Sequence, residues 1–364
     1  MSHRTRAFSL TLLILGTIGG LPLAAESRLT SQPVPSNAQH IFGTWALQQI
    51  SSIDELTGPQ GEGLADVLDT PHLRGLSVRV TWNAIDKDFA LLDASLALAR
   101  AHHVDLSVRF MAGRHTPAHV FDQGSPFYLV PAFGQKEQNA KAASMEKVPV
   151  PFMPDGAANA VFEEEYDKLV SRLAAWCREN HVHLLHLAWY GQDWAELNNG
   201  REVRAAPGYS YEQWLNGHKR LIDIGLKYAG PDLAVEFPFS GHGPTTEAGL
   251  AFANHVIEKV GPFQPVFYCQ ANGWSDVGDW GAPDPATEAA KNRVWALPIC
   301  RGKQAIQPKD CDWKRAYHNL RQDQATYCEV YVPSFHLKNK DQLFREIESF
   351  DHDCRQRIPM PSAK

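Results

Sequence analysis

Short apolar runs alternate with amphipathic stretches along most of the chain. Runs with a strand-like composition cover residues 41–47, 75–82, 104–112, 183–190, 232–239, 265–272, 302–308 and 325–333. Between these runs, apolar residues recur at helical spacing, for example in residues 88–103 and 160–180. Eight strands that alternate with helices predict parallel pairing through crossover connections.

This order of elements predicts an α/β fold, a (β/α)8 TIM barrel that forms one domain over residues 39–360. The 364-residue chain is long enough for such a barrel. A doubly wound open sheet is the alternative, but no Gly-rich phosphate loop follows the first strand. The longest connection, residues 122–155, follows the third strand and predicts a long loop beside the active face.

The first 25 residues have the pattern of a secretory signal peptide. Arg4 and Arg6 precede an uncharged apolar stretch that is broken by Gly19, Gly20 and Pro22. An uncleaved membrane anchor is the alternative, but these breaks leave little uninterrupted apolar length. We therefore expect a secreted or periplasmic protein with an extended polar leader at residues 26–38.

The net charge of the chain limits the kinds of partner that it is expected to bind. Removing residues 1–25 lowers Lys+Arg from 35 to 33 against 41 Asp+Glu, so the net charge changes from −6 to −8. This negative charge argues against nucleic acid and against membrane surfaces as partners after signal cleavage.

Cys300 and Cys311 flank a short loop and are the best candidates for a disulfide. The sequence does not fix the oligomeric state.

Aromatic and polar side chains recur where the predicted strands end. In a barrel, the carboxyl ends of the strands form the working face. Sugar rings pack on aromatic side chains, and amides or charged groups bind sugar hydroxyls, although tryptophan also fills cores. The pattern predicts a carbohydrate substrate, with these candidate binding residues: Trp45, Arg79, Trp82, Trp189, Tyr190, Asp193, Gln270, Asn272, Trp274 and Tyr331.

The residues 75–110, "GLSVRVTWNAIDKDFALLDASLALARAHHVDLSVRF", resemble the second and third strand units of a glycoside hydrolase superfamily. It is the large retaining (β/α)8-barrel superfamily of β-galactosidase-like and cellulase-like enzymes. The segments "AGRHTPAHVF" and "YGQDWAE" are similar to its regions after the third and fourth strands. The resemblance implies that Glu196 is the general acid/base and that Arg79 holds the nucleophile ionised.

Two positions depart from the pattern of that superfamily. The residue before Glu196 is Ala195, where the superfamily usually has Asn. The predicted seventh strand carries no carboxylate, so the nearest fit to the nucleophile is Glu329 on the eighth. Glu236 is the next candidate for a catalytic carboxylate, and Asp193 is an alternative acid.

Glycosidic cleavage requires two carboxyl groups that face one bond. The donor must have a raised pKa, which an apolar wall or a neighbouring carboxylate provides. Glu196 has Trp194 and Asp193 close in the sequence. Glu236 and Glu329 lie in apolar strands, where an ionised group needs a partner such as Arg79 or Arg109. A structural ion pair inside the barrel is the alternative role for Glu329.

We expect an exported glycoside hydrolase that uses a two-carboxylate mechanism and needs no cofactor. A barrel that binds carbohydrate without cleaving it is the main alternative, because the catalytic pair departs from the family pattern. The histidines do not have the spacing of a metal site, so no metal is predicted. A hydrolase that uses Asp193 with nearby histidines is a third hypothesis.

Overall fold

The structure, a computed structural model, is built around a curled parallel sheet. It describes residues 40–57, 63–132, 144–191, 201–238, 245–260, 267–270, 295–296, 298–299, 312–322 and 326–358. Within these residues the strands are β1 (Gly43–Ile50), β2 (Leu73–Thr81), β3 (Asp105–Met111), β4 (Phe127–Pro131), β5 (Met145–Pro149), β6 (Leu184–His186), β7 (Ala234–Pro238), β8 (Phe267–Gln270), β9 (Trp295–Ala296), β10 (Pro298–Ile299) and β11 (Tyr327–Tyr331).

Nine of the described strands form one sheet, in the order β10-β11-β1-β2-β3-β6-β7-β8-β9. Every neighbouring pair in this order is parallel. The sheet is curled, because side chains from strands that are not neighbours meet on its inner face. Ser77 of β2 contacts Glu329 of β11 across β1, and Arg109 of β3 contacts Glu236 of β7 across β6.

Helices connect the strands, as parallel pairing requires. The described helices are α1 (Asp54–Thr57), α2 (Leu64–Leu68), α3 (Trp82–Ile85), α4 (Ala90–Ala101), α5 (Ala118–Asp122), α6 (Ala160–Glu179), α7 (Arg201–Arg204), α8 (Tyr211–Leu226), α9 (Thr245–Val260), α10 (Trp313–Gln322) and α11 (Lys340–Arg357). Capping side chains fix several N-termini; Asn159, for example, accepts from the Phe162 amide before α6. No helix in the described ranges is long and apolar enough to cross a membrane.

Alternation along the strands separates two cores. On β2 and β3 the even-numbered apolar residues, such as Val78 and Val108, belong to the large core that includes Leu96 of α4 and Val170 of α6. The inner face begins at its amino-terminal end with a smaller apolar cluster, and its members are Ile41, Trp45, Leu184, Ala234 and Tyr327. Above this cluster the inner face becomes polar.

Seven of the eight predicted strands correspond to strands of the sheet with shifts of a few residues at their ends, and β6 is shorter than predicted. The predicted strand at residues 302–308 lies outside the described residues, while β9 and β10 occur earlier in the chain. Part of the predicted long loop instead forms the antiparallel pair β4–β5. The leader, the signal segment, Cys300 and Cys311 also lie outside the described residues.

Gly75 allows the indole ring of Trp45 to lie against strand β2. A Cβ atom at position 75 would lie 2.2 Å from Trp45 Cε3, which is far inside van der Waals contact. We therefore predict that Gly75→Ala lowers the free energy of unfolding by about 1–3 kcal/mol through overpacking, measured by urea denaturation.

Gly230→Ala is the matched control, because among the described residues no heavy atom beyond its chain neighbours lies within 4 Å of a Cβ at that position. Its free energy of unfolding should stay within about 0.5 kcal/mol of the wild-type value. Equal effects of the two substitutions would show that the indole does not pack on Gly75.

Candidate acid–base site

A polar cluster occupies the inner face of the sheet above the small apolar cluster. We call it the interior cluster. Each of its members has 0% of its surface exposed, and they are Ser77, Ser107, Arg109, His186, Glu236, Tyr327 and Glu329. Strand registers align them, since Ser77 pairs with Ser107 and His186 pairs with both Arg109 and Glu236.

The guanidinium group of Arg109 lies between the two carboxylates. Its Nη1 is 3.2 Å from Glu236 Oε2, and its Nη2 is 3.1 Å from Glu329 Oε2. Burial lowers the pKa of Arg109, but the Glu236 and Glu329 carboxylates raise it by more, so the guanidinium stays charged. Two buried carboxylates can both stay ionised this close together because the Arg109 cation lies between them.

Glu329 accepts hydrogen bonds from several donors. Ser77 Oγ donates to Oε1 at 2.6 Å and Tyr327 OH at 3.0 Å, in addition to the Arg109 contacts. Burial raises the pKa of Glu329, but the charge of Arg109, together with donors such as the Ser77 hydroxyl, lowers it by more, to about 2. Both carboxylate oxygens are therefore occupied by donors that hold Glu329 as an anion.

Glu236 has a different environment from Glu329. Its Oε2 is in hydrogen-bond contact with His186 Nδ1 and close to Arg109. Its other oxygen, Oε1, has no hydrogen-bond partner within the part of the chain that the structure describes. An imidazole–carboxylate pair with one oxygen available is an arrangement that can accept and return a proton.

The opposite edge of the His186 ring faces two hydroxyl groups. Its Nε2 lies 3.3 Å from Ser107 Oγ and 3.5 Å from Tyr327 OH, and these hydroxyls are 3.3 Å apart. Glu329 Oε1 is 3.4 Å from the same nitrogen. Burial, followed by the Glu329 charge, raises the pKa of Tyr327, which keeps its phenol protonated.

Arg79 and Tyr331 lie at the carboxyl-terminal rim of the interior cluster. Arg79 Nη1 donates to Tyr331 OH at 3.1 Å, and the guanidinium also lies near the tyrosine ring, 5.4 Å from its centroid. The resemblance implies that Arg79 holds the nucleophile ionised. Arg79 contributes to lowering the pKa of Glu329, but the direct contact to that carboxylate comes from Arg109.

The predicted aromatic residues are deeply buried. Trp45 lies in the small apolar cluster, with its Nε1 donating to the Phe42 carbonyl. Trp82 packs on Phe162, and Trp189 packs on Phe252, both on the helix side of the sheet.

Tyr190 is also on the helix side, where its hydroxyl donates to Glu163 at 3.3 Å. The role of Trp45, Trp82, Trp189 and Tyr190 as sugar-binding residues stays a prediction. The remaining candidates, Asp193, Glu196, Asn272, Trp274 and the side chain of Gln270, lie outside the described residues.

Arg109, which the sequence analysis offers as one of two possible partners of the buried carboxylates, contacts both of them, whereas His186 is a site residue that the sequence analysis missed. The sequence contains a signal for the position of Arg109, because "LSVR" occurs at residues 76–79 and again at 106–109. A serine and an arginine two positions apart point to the same face of a strand. Two such strands side by side place both pairs on the inner face.

No family model matches the sequence, and no curated protein matches it. Among solved structures, the chain is similar to an L-ribulose 3-epimerase (9% identity, 89% of this chain and 99% of that one, TM-score 0.47). It is also similar to a D-psicose 3-epimerase with D-fructose (10% identity, 86% and 97%, TM-score 0.46). A third similar structure is the PgaB (BpsB) glycoside hydrolase domain from Bordetella bronchiseptica (14% identity, 84% and 99%, TM-score 0.43).

The prediction of glycoside hydrolysis is wrong. Several of the similar structures are sugar epimerases or isomerases, which catalyse a different reaction. The geometry of Glu236 and Glu329 agrees with this correction, because the Arg109 guanidinium lies between the two carboxylates. Two carboxyl groups in this arrangement do not face one glycosidic bond from opposite sides.

Removing the Arg109 guanidinium should strongly destabilise the fold. We predict that Arg109→Met lowers the free energy of unfolding by about 3–5 kcal/mol, because it leaves buried carboxylates without their cation. Arg172→Met is the control, since the exposed Arg172 donates to the backbone carbonyls of Asp86 and Lys87 and lies over the Phe89 ring, away from the buried carboxylates. Urea denaturation at pH 7 measures both.

The loss of stability in Arg109→Met should also depend on pH. The pKa of Glu329 is about 2 in the folded protein against a usual 4.5, so its ionisation stabilises the fold above pH 4.5. That stabilisation decreases as the pH falls toward 2. The difference between wild type and Arg109→Met should therefore shrink on acidification. A difference that stays constant from pH 7 to pH 2.5 would contradict the assigned ion pair.

Proposed function

We propose that the protein binds a carbohydrate at the carboxyl ends of its parallel strands and acts on it by proton transfer. The observation that carries this proposal is the environment of Glu236. Its carboxylate is paired with an imidazole, lies beside a cation, and has one oxygen, Oε1, without a partner in the described residues. The proposal also includes closure of the sheet into a complete (β/α)8 barrel.

The positions of β9 and β10 support barrel closure. They lie at opposite ends of the strand order, yet only residue 297 separates them in the chain. β9 pairs with β8, while β10 pairs with β11. If both are parts of one strand, that strand joins the two ends of the sheet, and the count of parallel strands becomes eight.

The two carboxylates have environments that suit different roles. Glu329 is surrounded by donors that hold it ionised, so it serves as a fixed negative charge. Glu236 is the member that exchanges a proton. Enzymes often give two carboxyl groups different acid–base roles by placing them in different surroundings.

The reaction that fits is removal of a proton from a carbon next to a sugar carbonyl, followed by its return. Glu236 Oε1 takes the proton as the carbonyl oxygen becomes negatively charged. Arg79, at the rim of the interior cluster, supplies a cation for that oxygen. Tyr331 and the exposed Gln49, in strands β11 and β1, are positioned to bind sugar hydroxyls.

Hydrogen–deuterium exchange tests this proposal directly. In D2O, a panel of free aldoses and ketoses is incubated with the protein and followed by proton NMR. We expect loss of the signal from a hydrogen next to the carbonyl for at least one sugar. Glu236→Gln should slow the exchange roughly 100-fold or more, because it removes the base.

Glu164→Gln is the control, because this carboxylate is exposed on helix α6 and, among the described residues, forms its ion pair with Lys168 outside the interior cluster. The Glu164→Gln protein should exchange the sugar hydrogen for deuterium at the wild-type rate. Sugar binding without exchange would refute proton transfer and leave only binding. Exchange that is unchanged in Glu236→Gln would refute the role of Glu236.

We also propose that residues 1–25 are removed during export, which the charge and apolar pattern of that segment supports. When the whole chain is expressed in a bacterium, the protein in the periplasm or medium should begin at Glu26. Intact-mass measurement reads this out, and recovery of a membrane-bound chain that begins at Met1 would contradict it.

A further inference from the structure

His186 is held from both edges of its ring, and the two edges have partners of different chemistry. Nδ1 faces Glu236 Oε2, which accepts hydrogen bonds when ionised. Nε2 faces the hydroxyls of Ser107 and Tyr327, which can donate or accept. The ring is completely buried, so these contacts rather than water decide which nitrogen carries the proton.

We infer that Ser107 and Tyr327 are positioning residues that keep His186 in the neutral tautomer with its proton on Nδ1. In that tautomer Nδ1 donates to the Glu236 carboxylate, and Nε2 accepts from a hydroxyl. Neither residue belongs to the predicted binding or catalytic set. The inference deepens the proposed function and rests on it for the role of Glu236 as base.

Charge balance supports this tautomer. Two cations, Arg79 and Arg109, lie in or beside the interior cluster with two carboxylates, Glu236 and Glu329. A neutral His186 leaves the buried charges balanced, which an interior of low dielectric favours. A protonated imidazole would add a positive charge that no further carboxylate of the cluster offsets.

The contacts of Arg109 define the competing arrangement. Its Nη2 lies 2.8 Å from His186 Nδ1, and a guanidinium can only donate. The same Nη2 donates to both oxygens of Glu329, at 3.1 and 3.3 Å. If Arg109 instead donated to Nδ1, the ring proton would lie on Nε2 and Glu236 would have to be protonated.

A hydroxyl can serve either arrangement, but only the tautomer with its proton on Nδ1 depends on one. A proton on Nε2 would also have an acceptor in Glu329 Oε1, which lies 3.4 Å from that nitrogen. Tyr327 donates to Glu329 Oε1 at 3.0 Å, which leaves the Ser107 hydroxyl as the donor closest to Nε2. Without that donor, the Nε2 lone pair of the buried ring loses its hydrogen bond. The tautomer with the proton on Nδ1 then loses its advantage.

Nitrogen NMR tests the inference without any sugar. Protein labelled with 15N in histidine is recorded at pH 7, and the His186 signals are assigned by their absence in His186→Gln. Two-bond 1H–15N correlations distinguish the two neutral tautomers from the protonated ring. We expect the tautomer with the proton on Nδ1 in the wild type.

The variants separate positioning from packing. Ser107→Ala should shift His186 to a mixture of tautomers, whereas Ser107→Thr, which keeps a hydroxyl, should restore the wild-type pattern. Tyr327→Phe should perturb the same signals. Ser95→Ala is the control, because that buried hydroxyl donates to the Leu91 carbonyl on helix α4 and does not contact the cluster.

Two results would overturn the inference. One is a wild-type His186 with its proton on Nε2 or with both nitrogens protonated. The other is an unchanged His186 pattern in a folded Ser107→Ala protein, which is the result that a purely structural role predicts. If Tyr327→Phe does not fold, the serine series decides. An absence of sugar exchange would refute the proposed function and leave this measurement unaffected.

Discussion

The pairing of Arg109 with two buried carboxylates is the interaction on which the inner face of the sheet depends. Each ionised group would cost several kcal/mol in the interior if it stood alone. The guanidinium reaches Glu236 through one nitrogen and Glu329 through the other, so a single side chain from β3 offsets charges from β7 and β11. The curvature of the sheet makes this reach possible.

The two carboxylates of the interior cluster have different surroundings. Glu329 receives donors from β2, β3 and β11, and it remains ionised. Glu236 faces the His186 ring and keeps one oxygen without a partner among the described residues. The same burial that makes the cluster costly also strengthens each electrostatic contact inside it. The contacts that hold the sheet together are also those that form the proposed proton-transfer site.

Hydrophobic periodicity was sufficient to predict most of the strands and their parallel order. It was also sufficient to predict that Glu236 and Glu329 lie in buried strands and need a cationic partner. Periodicity does not say which strands face each other across a curled sheet. For this reason the pattern leaves Arg79 and Arg109 as alternative partners of the buried carboxylates, and it assigns His186 no role in the site. The repeated "LSVR" is the local feature that places both arginines on one face.

The aromatic residues show a second limit of sequence reasoning. A tryptophan at the end of a strand has the same composition signature whether it binds a sugar or fills a core. Trp45, Trp82 and Trp189 are each 1% exposed, and each packs against another aromatic ring. Only the three-dimensional contacts distinguish these roles, because the residues that surround each indole come from distant parts of the chain.

Carbon NMR of the glutamate carboxyl groups tests the central claim most directly, with the Glu329 signal assigned by comparison with Glu329→Gln. The ion pair with Arg109 predicts that the Glu329 carboxyl stays ionised as the pH falls below 4.5 and titrates near pH 2, provided that the protein is still folded. Titration of Glu329 in the folded protein at the ordinary glutamate pKa would contradict the account.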